Sequence, residues 1–505
     1  MILAKTVKGY GMGAAGESQN PTHQQKKLDN EAVRAFRDRF NVPIPDDKLA
    51  DIPYFKPADD SPEMKYLKEL RAQRGGSLPQ RRRKTTVKLE APKLETFKAL
   101  LDPTAEGREI STTMAFVRML TALVKDKNLG KNVVPIVPDE SRTFGMEGLF
   151  RQLGIYSQLG QLYEPEDSDQ LMFYKEDKSG QILQEGINEA GATCSWIAAA
   201  TSYSTNDVPM IPFYIFYSMF GLQRVGDLIW ASGDMRARGF LLGGTAGRTT
   251  LNGEGLQHED GHNHILASVV PNCRSYDPTF AYEVAVIVQD GLRRMLEDQE
   301  DVFYYVTLMN ENYPHPGLQD GAREGILKGM YRLSEAGAAK GPRVQLLGCG
   351  TILREVMAAA ELLKADWGVA ADVWSCPSFN ELRRDGMAAV RWNLLHPTEK
   401  PRASYVEQCL APTQGPVVAS TDYMRTYADQ IREFVPRRYK VLGTDGFGRS
   451  DSRDNLRRYF EVNRFYVTVA ALKALAEDGE VPAQKVADAI KKYGIDTARP
   501  EPWSV

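Results

Sequence analysis

The chain is expected to fold as α/β, with mainly parallel sheets. Three observations point there. Short apolar or β-rich runs alternate with helix-period segments between residues 91 and 320, and the alternation resumes after residue 321. Residues 133–137 are a continuous apolar run of strand length. Hydrophobic residues make up 42% and charged residues 26% of a 505-residue chain, a globular composition long enough for a sizeable core and for roughly three domains.

In order, residues 2–7 read as a buried strand with no polar lead-in, as if from the middle of a domain whose earlier part is supplied elsewhere. Prolines 21, 43, 45, 53, 57 and 62 then break any long helix, leaving short helices at 30–40 and 62–74. Residues 1–90 are thus expected to be the tail of one domain and a connecting arm. Its basic run, residues 81–84, stands beside Gly75-Gly76 and reads as a solvated linker. Residues 91–320 are expected to form one α/β domain. Its helices fall at 111–127, 190–200, 223–236 and 282–298, and its strands at 133–137, 210–216, 239–243 and 302–308. Residues 321–505 form a second unit. Strands fall at 344–347, 371–375, 416–420 and 438–442, with helices at 352–363 and 483–492.

A net charge of −3 gives no electrostatic footprint for nucleic acid or a membrane surface. Five dispersed cysteines without a CxxC pair argue against a disulfide framework or structural zinc and for a reducing cytoplasm. No apolar run reaches the roughly 18 residues of a membrane span, and residues 1–5 are too short an apolar stretch for a signal peptide.

Function is sought between two segments. Gly186-Ile187-Asn188-Glu189 delivers a carboxylate to the start of an Ala-rich helix expected to be buried. Burial there raises a carboxyl pKa and lets the group hold a proton near neutrality. The second segment, residues 253–262, contains His258-Glu259-Asp260-Gly261-His262. It matches HExxH, but zinc chemistry needs both histidines on one helical face, and the glycines and aspartate here favour a loop. Residues 11–16 match GxGxxG without the amphipathic helix a dinucleotide site requires, so a glycine loop flanked by His23 is expected. Gly348-Cys349-Gly350 and residues 443–448 read as strand-exit turns, with anion cradles as the alternative. Asp139-Glu140 follow a strand, the usual site position in parallel sheets, and Tyr217 and Phe220 belong to an aromatic-dense stretch that either packs the core or stacks a heterocycle.

Taken together, these islands resemble one family, the homodimeric decarboxylase component of pyruvate dehydrogenase, a thiamine-diphosphate enzyme akin to transketolase. The resemblance is strongest in DESRTFGMEGLFRQLGIYS, GQILQEGINEAGATCSW, GGTAGRTTLNGEGLQHEDGHNH and GTDGFGRSDSRDNLRRYF, and GINE looks like the GIRE element of transketolases. It implies a pyrimidine-side α/β domain followed by a smaller transketolase-like C-terminal α/β domain. The family's GDG-and-Asn motif for Mg²⁺ and the diphosphate is missing, so the chain resembles a C-terminal fragment or one half of a split enzyme, with the Mg²⁺ ligands expected elsewhere. A silent assembly subunit is the competing expectation.

By this resemblance Glu189 hydrogen-bonds the aminopyrimidine, Ile187 is the apolar wedge beneath the cofactor, Phe220 stacks on the pyrimidine with Tyr217 beside it, and Asp139 and Glu140 line the pocket. His258 resembles a histidine near the substrate, a side chain suited to proton handling. His23 resembles the histidine of an active-site loop, and Lys8 a residue reaching towards cofactor or loop. The implied partners are pyruvate, the lipoyl-bearing dihydrolipoamide acetyltransferase and a second copy of the chain.

Overall fold

The computed structural model describes residues 2–76, 82–138, 141–166, 168, 174–337 and 341–505. It divides into two compact units, Met1–Arg81 and Arg82–Val505. The first contains helix α1 (Asn30–Arg39), capped by the Asp29 carboxylate on the Ala32 N–H, and α2 (Pro62–Gln73), capped by Ser61 with Pro62 as its first residue. The expected strand at residues 2–7 is not formed. Those residues have no regular secondary structure and are exposed, because an apolar run without a paired neighbour has nothing to satisfy its backbone. The glycine loop is a pair of 3₁₀ turns, with neither a strand before it nor a long helix after it. Its own Glu17 carboxylate accepts the Gly11 and Gly13 N–H groups and pairs with Arg39 at 2.6 Å.

The second unit holds both large sheets. The first consists of β1 (Val133–Val137), β2 (Leu183–Gln184), β3 (Ile211–Tyr217), β4 (Phe240–Gly244), β5 (Cys273–Tyr276) and β6 (Phe303–Thr307). All pairings are parallel, in the order β2-β1-β3-β4-β6-β5. Helices α3 (Thr112–Val124), α4 (Glu189–Ala200), α5 (Leu222–Asp234), α6 (Asn263–Ser268) and α7 (Ala281–Leu296) belong to this part. Ser111 caps α3 through the Met114 N–H, as its position before the apolar run predicts. Covered on both faces, β3, β4 and β6 are buried along almost their whole length, which is why they are continuous apolar runs rather than alternating ones.

The second sheet contains β7 (Tyr331–Ser334), β8 (Arg343–Gly348), β9 (Ala370–Ser375), β10 (Val417–Ser420) and β11 (Tyr439–Leu442), in the order β11-β10-β8-β9-β7. Only β7 runs antiparallel. Helices α8 (Ile352–Trp367), α9 (Phe379–Leu395), α10 (Arg464–Glu477) and α11 (Ala483–Lys492) complete it. Buried carboxylates bind the two sheets together. Glu283, at the start of α7, accepts from Ser375 on β9 and Tyr331 on β7, and Asp277 after β5 accepts from Tyr423. Among the described residues no helix is long and apolar enough to cross a membrane, and all five cysteines are free.

Candidate functional site

Strand order reverses at β1, with β2 on one side and β3 on the other. In open parallel sheets a crevice opens outside the carboxyl ends at such a point. Glu189 follows β2, Tyr217 and Phe220 stand at and just after the end of β3, and His258 comes from the segment after β4. Asp139 and Glu140, just beyond β1, lie outside the described residues. After β2, the Glu185 N–H still donates to Val137 O at 3.0 Å, and Gly186 then turns the chain at φ +74°, a conformation glycine adopts freely. Asn188 caps α4 by accepting the Gly191 N–H at 3.0 Å. Glu189 is therefore the first helical residue, where the helix dipole favours a negative charge.

Glu189 is not sealed inside the protein as expected. Its side chain is 16% exposed, because its neighbours Ile187, Asn188 and Ala190 all face outwards, with Ile187 69% exposed. Its partner is Arg224, whose Nη1 donates to Glu189 Oε1 at 3.1 Å. Behind it α4 is fixed by Trp196, fully buried and donating its Nε1–H to Phe240 O at 3.1 Å.

After β3 a 3₁₀ turn, Ser218–Phe220, carries the aromatic pair. Tyr217 packs on Phe144 with ring centroids 5.3 Å apart and lies 6.1 Å from Phe220. His258 stands edge-on to both rings, 5.2 Å from Tyr217 and 4.9 Å from Phe220. Its Nδ1 is buried with no hydrogen-bond partner, an uncommon state for a polar atom and one that a ligand group relieves. The structure thus gathers Glu189, Tyr217, Phe220 and His258. Lys8 and His23 are exposed residues of the first unit.

The HExxH match is not realised as a helix. His258 ends a 3₁₀ turn, while His262 precedes α6 and bonds through Nε2 to Gln223 Oε1 at 2.8 Å. Asp260 holds the segment in place by accepting the Ser218 hydroxyl and the His262 and Asn263 N–H groups, the latter two at 2.9 and 3.1 Å. Glu259 is fully buried. Its Oε2 accepts the Arg449 N–H at 2.6 Å, its Oε1 has no partner, and burial pushes its pKa up to about 8. Earlier in the segment, Thr249 donates its N–H to Asp422 at 2.8 Å and Thr250 its hydroxyl at 2.6 Å. Gly261 O accepts the Met424 N–H at 2.8 Å.

Sequence reasoning missed Arg224, Phe144 and Asp260. The one signal for Arg224 is its place four residues after Phe220, one helical turn on. Its guanidinium carbon lies 3.9 Å over the Phe220 ring.

Residues 89–316 match the middle domain of the pyruvate dehydrogenase E1 component, and residues 329–463 the transketolase-like C-terminal domain. Over 100% of its length the chain is 64% identical to the pyruvate dehydrogenase E1 component of Cupriavidus necator, and covers 56% of that protein. The corresponding protein of Pseudomonas aeruginosa is 64% identical over 99% of the chain, with 57% of it covered; that of Escherichia coli K12 is 58% identical over 99%, with 56% covered. The chain thus spans a little over half the length of these relatives. Among solved structures, a Campylobacter jejuni transketolase has a TM-score of 0.61 at 16% identity, over 93% of this chain and 62% of that one. A Leishmania mexicana transketolase has a TM-score of 0.57 at 17% identity, over 91% of this chain and 57% of that one. At such identities the likeness is one of fold. With these two domains in this order, and alignment over nearly its whole length, the chain carries the middle domain of a pyruvate dehydrogenase E1 component and a transketolase-like C-terminal domain, and is similar to the C-terminal part of E1 components.

Proposed function

We propose that this chain supplies the pyrimidine side of a thiamine-diphosphate site and serves the oxidative decarboxylation of pyruvate, with transfer of the acetyl group to the lipoyl group of a dihydrolipoamide acetyltransferase. The observation that carries the reading is the meeting of a carboxylate, a phenylalanine ring and an orphaned histidine nitrogen at neighbouring strand ends. These residues fit the cofactor. A carboxylate at a helix start accepts from a protonated ring nitrogen, a phenylalanine face stacks a flat heterocycle, and a buried unsatisfied imidazole awaits a polar group. Thiamine diphosphate supplies, when bound, the electron sink that makes loss of the carboxyl group feasible.

The chain's own residues then bind, orient and manage protons. Glu189 shares a proton at the ring nitrogen of the aminopyrimidine through Oε1 or Oε2. Phe220 and Tyr217 would hold the heterocycle by stacking, and Ile187 would supply the apolar contact beneath it. His258 moves protons at its free Nδ1 on the substrate side, and Asp139 and Glu140 line the pocket. His23 and Lys8 are assigned to loop closure over the reacting group. Among the described residues no group of three or more His, Cys, Asp or Glu side chains is arranged to hold a metal ion, and the reading assigns Mg²⁺ to a diphosphate-binding domain. It further takes residues 1–90 as tail and arm, 91–320 as the pyrimidine-side domain and 321–505 as the C-terminal domain of a cytoplasmic homodimer.

The test is calorimetric titration of the chain with thiamine diphosphate and Mg²⁺, alone and with a diphosphate-binding domain from a relative added. Saturable heat in the second titration, lost in Glu189→Gln, is expected. Binding that is indifferent to Glu189→Gln would refute the assignment.

A further inference from the structure

We propose that Arg224 competes with the heterocycle for Glu189 and Phe220, so that loading the site requires its guanidinium to leave. The inference rests on the pyrimidine-side reading of Glu189 and Phe220. Both groups assigned to the heterocycle are already engaged by this one side chain. Its Nη1 donates to Glu189 Oε1 at 3.1 Å, and its guanidinium carbon lies 3.9 Å over the Phe220 ring. A guanidinium presents a flat π-face and in-plane N–H donors, the same two features a protonated aminopyrimidine presents. A lysine ammonium has only the charge.

The surroundings permit the exchange. The Arg224 side chain is 51% exposed, so it can swing into water without crossing the protein interior. It sits in the first turn of α5, immediately before Val225, whose φ of −123° interrupts the helix. Among the described residues, Glu185, another carboxylate on this strand exit, accepts the Ser195 hydroxyl at 2.6 Å. Glu189 thus has its charge compensated by Arg224, and the incoming ring must displace that compensation.

The expected effect follows from what is displaced. A half-exposed ion pair and an exposed cation–π contact together weaken a competing ligand about fivefold to tenfold. The probe is 4-amino-5-hydroxymethyl-2-methylpyrimidine, which needs no diphosphate site, titrated into the 505-residue chain and followed by ligand-observed NMR. Arg224→Met should bind it about fivefold more tightly than the parent, and Arg224→Lys should fall between. Binding by the parent with equal or weaker affinity in both variants overturns the inference and leaves the reading of the site standing. No saturable binding by the parent or either variant overturns the reading, and the inference with it.

Discussion

Replacing Glu259 with Gln should reverse the order of stabilities between acid and alkaline pH. Glu259 is fully buried next to His258, and burial moves its pKa from an ordinary 4.5 to about 8. Folded protein therefore keeps a proton that unfolded chain releases between those values. Stability present below about pH 4.5 is lost as the pH rises through about 8, at one proton per molecule. Over that window the loss reaches about 5 kcal/mol, taking about 1.36 kcal/mol per pH unit as an upper bound. Glutamine does not ionise and escapes this loss. It meets a constant penalty instead, since an amide N–H₂ at the unpartnered Oε1 position finds no acceptor, at about 1–3 kcal/mol. Glu259→Gln should thus be less stable than the parent at pH 5 and more stable at pH 9. Urea denaturation at pH 5, 7 and 9, followed by tryptophan fluorescence, measures the difference directly. A difference that stays constant across the series would refute the argument that Glu259 is held protonated by burial.

Other expectations are as direct. His264, wholly buried, is driven by desolvation down to about 3 from 6.5, so the stability it provides above pH 6.5 is lost as pH falls through about 3; His264→Gln should flatten the acid limb of the stability curve. Arg457, 4% exposed, pairs with Glu311 and also faces Glu355, so Arg457→Met should cost about 3 kcal/mol and lower the melting temperature. A methyl group at Gly221 would lie 2.1 Å from the buried Phe216 ring, so Gly221→Ala should cost about 1–3 kcal/mol and shift Phe220, seen as weakened pyrimidine binding in calorimetry.

Much of the fold was legible because burial leaves a simple imprint. β1 and α11 were expected with the bounds they have, and most other elements within a few residues, since two-sided burial writes unbroken apolar runs between turns. Elements that were not anticipated break that imprint. In β5 an arginine and a serine interrupt Cys273–Tyr276, and along α9 the exposed Met387, Val390 and Leu394 blur the amphipathic period. Residues 2–7 show the opposite failure, an apolar run without a partner strand. Glu189, Tyr217, Phe220 and His258 were singled out because unusual residues stand in tight motifs that also carry the family resemblance, and the structure brings the four side chains together. Arg224 was not, because a charged residue early in a helix ordinarily faces solvent. Its meaning depends on a carboxylate 35 positions away that only the sheet brings close.

The segment carrying His258 is clasped from its flanks by Asp422, Met424 and Arg449, which all belong to the part of the chain built on the second sheet. The histidine therefore has two inheritances, one from its own strand exit and one from residues some two hundred positions later. A chimera joined near residue 320 would keep every residue of the aromatic cluster and still misplace the imidazole if the donor lacked a carboxylate matching Asp422. Recombination, natural or engineered, should be tolerated only between parents that share this clasp, so that the two halves of the unit drift through sequence space together rather than as interchangeable modules.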